Sequence, residues 1–130
     1  MVFVCHRSHP LARRKTVSFR DVEGETFVAF DRGLSIRKAI DKALRQRAVN
    51  VNIAMEFDNI ETIKHAITIQ SGVSILPQPS VAREVETGIL AAIPLDMPEL
   101  VRPIGIIHRR QKLLTPTAQE LLEFLQTQKQ

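Results

Sequence analysis

The chain contains no tryptophan, no tyrosine and one cysteine, Cys5. A lone thiol cannot form an internal disulfide, which agrees with a reducing compartment. Six phenylalanines are the only aromatics, so a platform for stacking single-stranded bases is poorly supplied. No apolar run approaches the ~18 residues that mark a membrane-spanning helix. The apolar opening Met1–Cys5 is too short for the core of a secretory signal, and His6, Arg7 and His9 follow at once. A cytoplasmic location is therefore expected. The five glycines include no phosphate-cradling loop pattern.

What is present describes an ordinary globular chain. With 130 residues, 44% hydrophobic and 25% charged, it has room for one compact domain or two small lobes and a real core. The formal net charge of +4 is unevenly spread: residues 1–50 sum to +6, 51–100 to −5 and 101–130 to +3. No basic block results beyond Arg13, Arg14 and Lys15, so solvated basic faces are expected and not a nucleic-acid groove.

The spacing of apolar residues then sets the elements. Val2–Cys5 reads as a strand, a short turn of helix follows near Phe19–Val22, and "FVAF" at Phe27–Phe30 is a second strand ending at a turn on Gly33. Ile36, Ala39, Ile40, Ala43 and Leu44 recur at helical spacing behind Ser35 as the expected cap. Val51–Phe57 alternates, with Val51, Ile53 and Met55 expected on a buried side, and Asp58 with Glu61 reads as the start of a second helix. Gly72 is expected to end that helix in the left-handed conformation, ahead of a short strand Val73–Leu76 broken by Pro77. A helix near Ser80–Thr87, strands at Ile89–Leu95 and Val101–His108, and a last helix capped by Thr115 and started by Pro116 complete the chain. Such an order predicts an α/β fold with a mainly parallel sheet flanked by helices.

Taken in order, "VCHRSHPLA", "FVAFD", "EFDNIETIKHAITIQSGVSILP", "GILAAIPL" and "VRPIGIIHRR" ahead of a final helix resemble the later part of the effector-binding domain of LysR-type transcriptional regulators. The resemblance spans nearly the whole chain and implies a periplasmic-binding-protein-like type 2 fold. Residues 1–24 would end the first lobe and cross over, 25–97 would form the second lobe as a unit with its own core, and 98–130 would return to the first lobe with its C-terminal helix. The family's winged helix-turn-helix has no counterpart among these residues. The implied function is effector sensing and oligomerisation within a bacterial transcription regulator, acting on DNA through a domain outside this sequence. Another class of function fits the same residues, a freestanding solute-binding or protein-interaction module.

Ligands of open α/β sheets sit beyond the carboxyl ends of strands, beside helix N-termini. That rule selects Phe57, Asp58 and Asn59 at one strand end and Phe30, Asp31 and Arg32 at another as effector-binding candidates, with Arg32 suited to pairing with an anionic small molecule. Catalysis finds no support: Ser71 and Ser74 lack an adjacent base, and Cys5, His6 and His9 lack the second ligand cluster of a metal site. Neither an enzyme, a metal nor a cofactor is expected.

Overall fold

Strand β1 (Val2–His6) is the apolar opening of the chain, and its Phe3, Val4 and Cys5 are fully buried. The computed structural model describes residues 1–102, 104–110 and 113–128. After 3-10 turns at Pro10–Arg13 and Phe19–Val22 come β2 (Thr26–Phe30), α1 (Ser35–Gln46), β3 (Asn52–Phe57), α2 (Ile60–Thr68) and β4 (Ser74–Leu76). A third such turn at Gln78–Val81 runs into α3 (Ala82–Glu86); β5 (Leu90–Pro94) and α4 (Pro116–Thr127) follow.

Pairing places β1 antiparallel between β4 and β5, while β2 and β3 pair in parallel. A parallel bridge joins the two sheets: Val28 N–H donates to the Val73 carbonyl at 2.8 Å, and Val73 N–H donates to that of Thr26 at 2.9 Å. The spatial order is thus β3-β2-β4-β1-β5, with β1 alone running against the rest. The sequence placed Met1–Cys5 at the end of another lobe; here β1 pairs within this sheet. Flanked on both sides by ladder hydrogen bonds and buried on both faces, β1 is integral to the sheet that residues 26–94 build.

Helix α1 buries Ile36, Ile40, Ala43 and Leu44, and α2 buries Ile63, Ala66 and Ile67. Each of the isoleucines and Leu44 contributes about 1.5–3 kcal/mol through removal from water. Expected core residues Ile53 and Met55 are instead 40% and 38% exposed, because β3 is the edge strand and has only β2 as its neighbour. Residues Val101–His108 were expected as a strand, but the described ones adopt none. Among the described residues no strand lies beside them to supply ladder partners, and Ile104 and Ile107 stand 95% and 96% exposed.

Helix ends differ from expectation in instructive ways. Leu34, not Ser35, occupies the N-cap of α1, and no side chain caps that turn. At α2 the cap is Asn59, one residue after Asp58. The left-handed residue that closes α2 is Gln70, at φ +61°. Gly72 serves another purpose: a Cβ there would lie 2.6 Å from the Thr26 carbonyl oxygen, so glycine is what lets β4 approach β2.

Candidate functional site

Register brings the ends of β2 and β3 together, Phe30 opposite Phe57, and Asp31 N–H donates to the Phe57 carbonyl at 2.9 Å. From this shared edge one chain passes into α1 and the other into α2. Between the two helix N-termini lies a depression of ≈ 390 Å³ lined by Phe30, Ser35, Ile36, Asp58, Asn59 and Arg102, among others. Its position beyond the carboxyl ends of parallel strands is where such sheets hold ligands.

The two helix ends are not equivalent. Asn59 Oδ1 accepts the N–H groups of Glu61 at 2.7 Å and Thr62 at 3.4 Å, so the first turn of α2 is already served. Helix α1 has no such side-chain cap, and its first N–H groups form the positive end of a 12-residue helix dipole. Glu61 also lines the depression, with its carboxylate held by Lys64 Nζ at 2.9 Å. Donors therefore gather on the α1 side with Arg102, and a carboxylate acceptor, Asp58, stands on the α2 side.

Of the six residues selected from the sequence, the depression unites Phe30, Asp58 and Asn59. Asp31 is exposed and spends one carboxylate oxygen on the Arg32 N–H at 2.9 Å. Phe57 is half-buried against the core. Arg32 is turned away: its Nε donates to Glu56 Oε1 at 3.2 Å, although its side chain is 79% exposed. Beneath it lies Arg37, buried, with Nη1 donating to the Phe30 carbonyl at 2.6 Å and Nε held by Asp41 at 2.9 Å and 3.1 Å. Arg37 Nη1 also lies 3.5 Å from Glu56 Oε2. Sequence reasoning missed Arg37 and Arg102, and gave Glu56, which opens the candidate stretch "EFDNIET", no role of its own. A signal for the first existed: Arg37 sits in the apolar row with Ile40 and Leu44 and has Asp41 four residues on, a pairing that helices favour.

At the other end of the sheet the histidines serve the backbone. His9 Nδ1 accepts the Leu11 N–H at 3.2 Å, capping the Pro10–Arg13 turn, while Nε2 lies 3.3 Å from Glu25. Among the described residues no group of His, Cys, Asp and Glu is arranged to hold a metal ion. Burial, reinforced by the charge of Glu25, pushes the Cys5 thiol up to about 12, which keeps it in the unreactive protonated form. No helix of the described residues is long and apolar enough to cross a membrane.

A mainly parallel sheet covered by helices, with a depression beyond its strand ends, defines the open α/β class of fold. The chain belongs to the LysR substrate binding domain family, whose model matches residues 1–130. It is 30% identical over 118 residues to the transcriptional dual regulator GltC of Bacillus subtilis, covering 91% of this chain and 39% of that protein. It is also 30% identical over 125 residues to the HTH-type transcriptional activator CmpR of Synechocystis, covering 96% and 41%. The chain thus spans about two fifths of the length of these relatives, which are transcriptional regulators. Among solved structures, the Synechocystis CcmR regulatory domain in complex with 2-PG superimposes with a TM-score of 0.78 at 23% identity, over 97% of this chain and 61% of that one. The effector binding domain of QuiR in complex with shikimate gives 0.72 at 16% identity, over 95% and 57%. These likenesses establish the periplasmic-binding-protein-like type 2 fold.

Proposed function

We propose that this chain is the effector-sensing part of a cytoplasmic LysR-type regulator, and that a small organic anion binds in the depression between α1 and α2. One observation carries the reading: the uncapped N-terminus of α1 and the Arg102 side chain flank the same hollow, and helix N-termini bind anions. Asp58 across the hollow adds a preference for a hydroxyl on the same ligand. The CcmR and QuiR domains, crystallised with 2-PG and shikimate, support an acid-bearing ligand by analogy. Phe30, Asp58 and Asn59 would form the wall contributed by this lobe, with Asp31, Arg32 and Phe57 at its margin.

The other wall would come from the first lobe, to which residues 98–130 return. Apolar Val101, Ile104 and Ile107, exposed here, are the side chains such a lobe would cover. A ligand that favours one arrangement of lobes shifts the population of that arrangement, and with it the geometry of a homo-oligomer and its DNA-binding domains. Calorimetric titration of small carboxylates and phosphates into the chain, with Arg102→Ala beside the parent, tests the site. Weakening of at least threefold by Arg102→Ala is expected. Equal affinities in parent and variant would remove the depression from consideration.

A further inference from the structure

Glu56 is the one carboxylate shared by two arginines at the rim of the depression, and its two partners differ in kind. Arg37 is buried and fixed: Nη1 reaches the Phe30 carbonyl at 2.6 Å, Nε is held by Asp41, and Glu56 Oε2 lies 3.5 Å away. Arg32 is exposed and meets Glu56 through a single Nε contact at 3.2 Å. The four groups, Arg32, Arg37, Asp41 and Glu56, carry two positive and two negative charges, so the cluster is neutral as it stands. Arg32 leaves the chain between Phe30 and Leu34, both of which line the depression, yet its guanidinium is directed onto Glu56 and out of the hollow.

We propose that Glu56 is an affinity-setting residue, an internal competitor that holds Arg32 off the effector site until an anion takes its place. The inference rests on the effector-site reading above and assigns its regulation. Glu56 cannot follow Arg32 into the hollow, because it sits in a strand and remains beside the buried Arg37. An exposed single-contact ion pair is weak, so an incoming carboxylate or phosphate exchanges one anionic partner of Arg32 for another at small cost. A neutral ligand offers Arg32 nothing in exchange, and the guanidinium stays on Glu56. Glu56 thereby lowers affinity for every anion by a modest factor, leaves neutral ligands unaffected, and so sets the anion concentration at which the site fills. Arg37 acts as a positioning residue: it keeps Glu56 in place and fixes the strand end from which Arg32 projects.

The test uses the whole chain and inorganic phosphate, titrated at constant ionic strength and followed by NMR through the amides of Ser35 and Ile36 and the Nε–H of Arg32. In the parent chain phosphate should shift the α1 amides and move the Arg32 Nε–H resonance as it leaves Glu56. Glu56→Gln should bind phosphate about two- to fivefold more tightly, the factor expected for release from a surface ion pair. Arg32→Gln should bind more weakly, and adding Glu56→Gln in that background should bring no further gain. An unchanged or lower affinity in Glu56→Gln would overturn the proposal, as would an equal gain in the Arg32→Gln background, which would mark a general charge effect. If Glu56→Gln does not fold, the parent decides: phosphate shifting the α1 amides without moving the Arg32 Nε–H would overturn it equally. Absence of any α1 amide shift would instead refute the effector site itself, and the competitor role with it.

Discussion

Replacing Gly72 by valine tests how the two halves of the sheet are joined. A Cβ at this position would stand 2.6 Å from the Thr26 carbonyl oxygen and 3.2 Å from the Val28 side chain, and the backbone there has φ +155°. Ordinary contact begins near 3.4 Å, so the strands must part by several tenths of an ångström. The partner most affected is the Val73 N–H bond to that same Thr26 oxygen, 2.9 Å long. Losing one such bond costs about 1 kcal/mol, and backbone strain of this kind about 1–3 kcal/mol. The expected destabilisation of about 2–4 kcal/mol is a large share of a typical domain's 5–15 kcal/mol. In a thermal melt followed by circular dichroism it should lower Tm by roughly 6–16 °C. Gly33→Ala is the control, since a Cβ there meets nothing within 4 Å, and its Tm should barely move. A Gly72→Val melt within 2 °C of the parent would show that the β2–β4 junction tolerates a side chain, and the close-approach reasoning would fail.

Three further outcomes are expected. Lys64 links α2 to α3 through the Ser80 carbonyl at 3.0 Å and Glu84 at 2.9 Å; its hydrogen bond holds the Glu84 carboxyl below the usual 4.5. Glu84 therefore adds stability that is complete above 4.5 and fades as pH falls through its lowered value, so Tm measured from pH 6 to 3 should decline less steeply in Glu84→Gln. Lys64 is the mirror case: burial alone would lower its value, but the bonds and charges of Glu61 and Glu84 raise it above 10.5, and that contribution fades only as pH rises beyond 10.5. The Cys5 thiol, raised to about 12 by burial, should resist alkylation by iodoacetamide at pH 8 and react fully in guanidinium chloride; rapid labelling of the native chain would contradict the central position of β1. Residues 1–100 alone should retain the Tm of the whole chain and self-associate less by light scattering, whereas residues 25–95, lacking β1, should not fold cooperatively.

How much of this was legible in the sequence depended on whether a feature is local. The helical rows of Ile36, Ile40 and Leu44, or Ile63 and Ile67, set their own periodicity, and Thr115 with Pro116 announced α4 without help from elsewhere. Strand partners are not local: "VFVC" looks the same at the centre of a sheet or in another lobe, and only its pairing with β4 and β5, some 70 to 90 residues on, distinguishes the two. Ile53 and Met55 misled for that reason, since alternation marks a strand but not whether it is an edge. Gly72 was recognised as special for its positive φ, but its close approach to the Thr26 carbonyl is invisible in the sequence. At the site, the strand-end rule located Phe30, Asp58 and Asn59, whereas the direction Arg32 takes is decided by Glu56, 24 residues away.

The central place of β1 also has a kinetic consequence. Within this chain β1 is made before its partners and has none until β4 and β5 exist, and its last ladder, Val2 with Pro94, closes a loop of more than 90 residues. At ~5–20 residues per second of synthesis, Val2–Cys5 waits on the order of 5–20 s before it can be buried. Contacts of such long range also make the search for the native state slow. During that interval the nascent chain presents an unpaired, wholly apolar edge, which makes "MVFVC" a segment suited to a chaperone's grip.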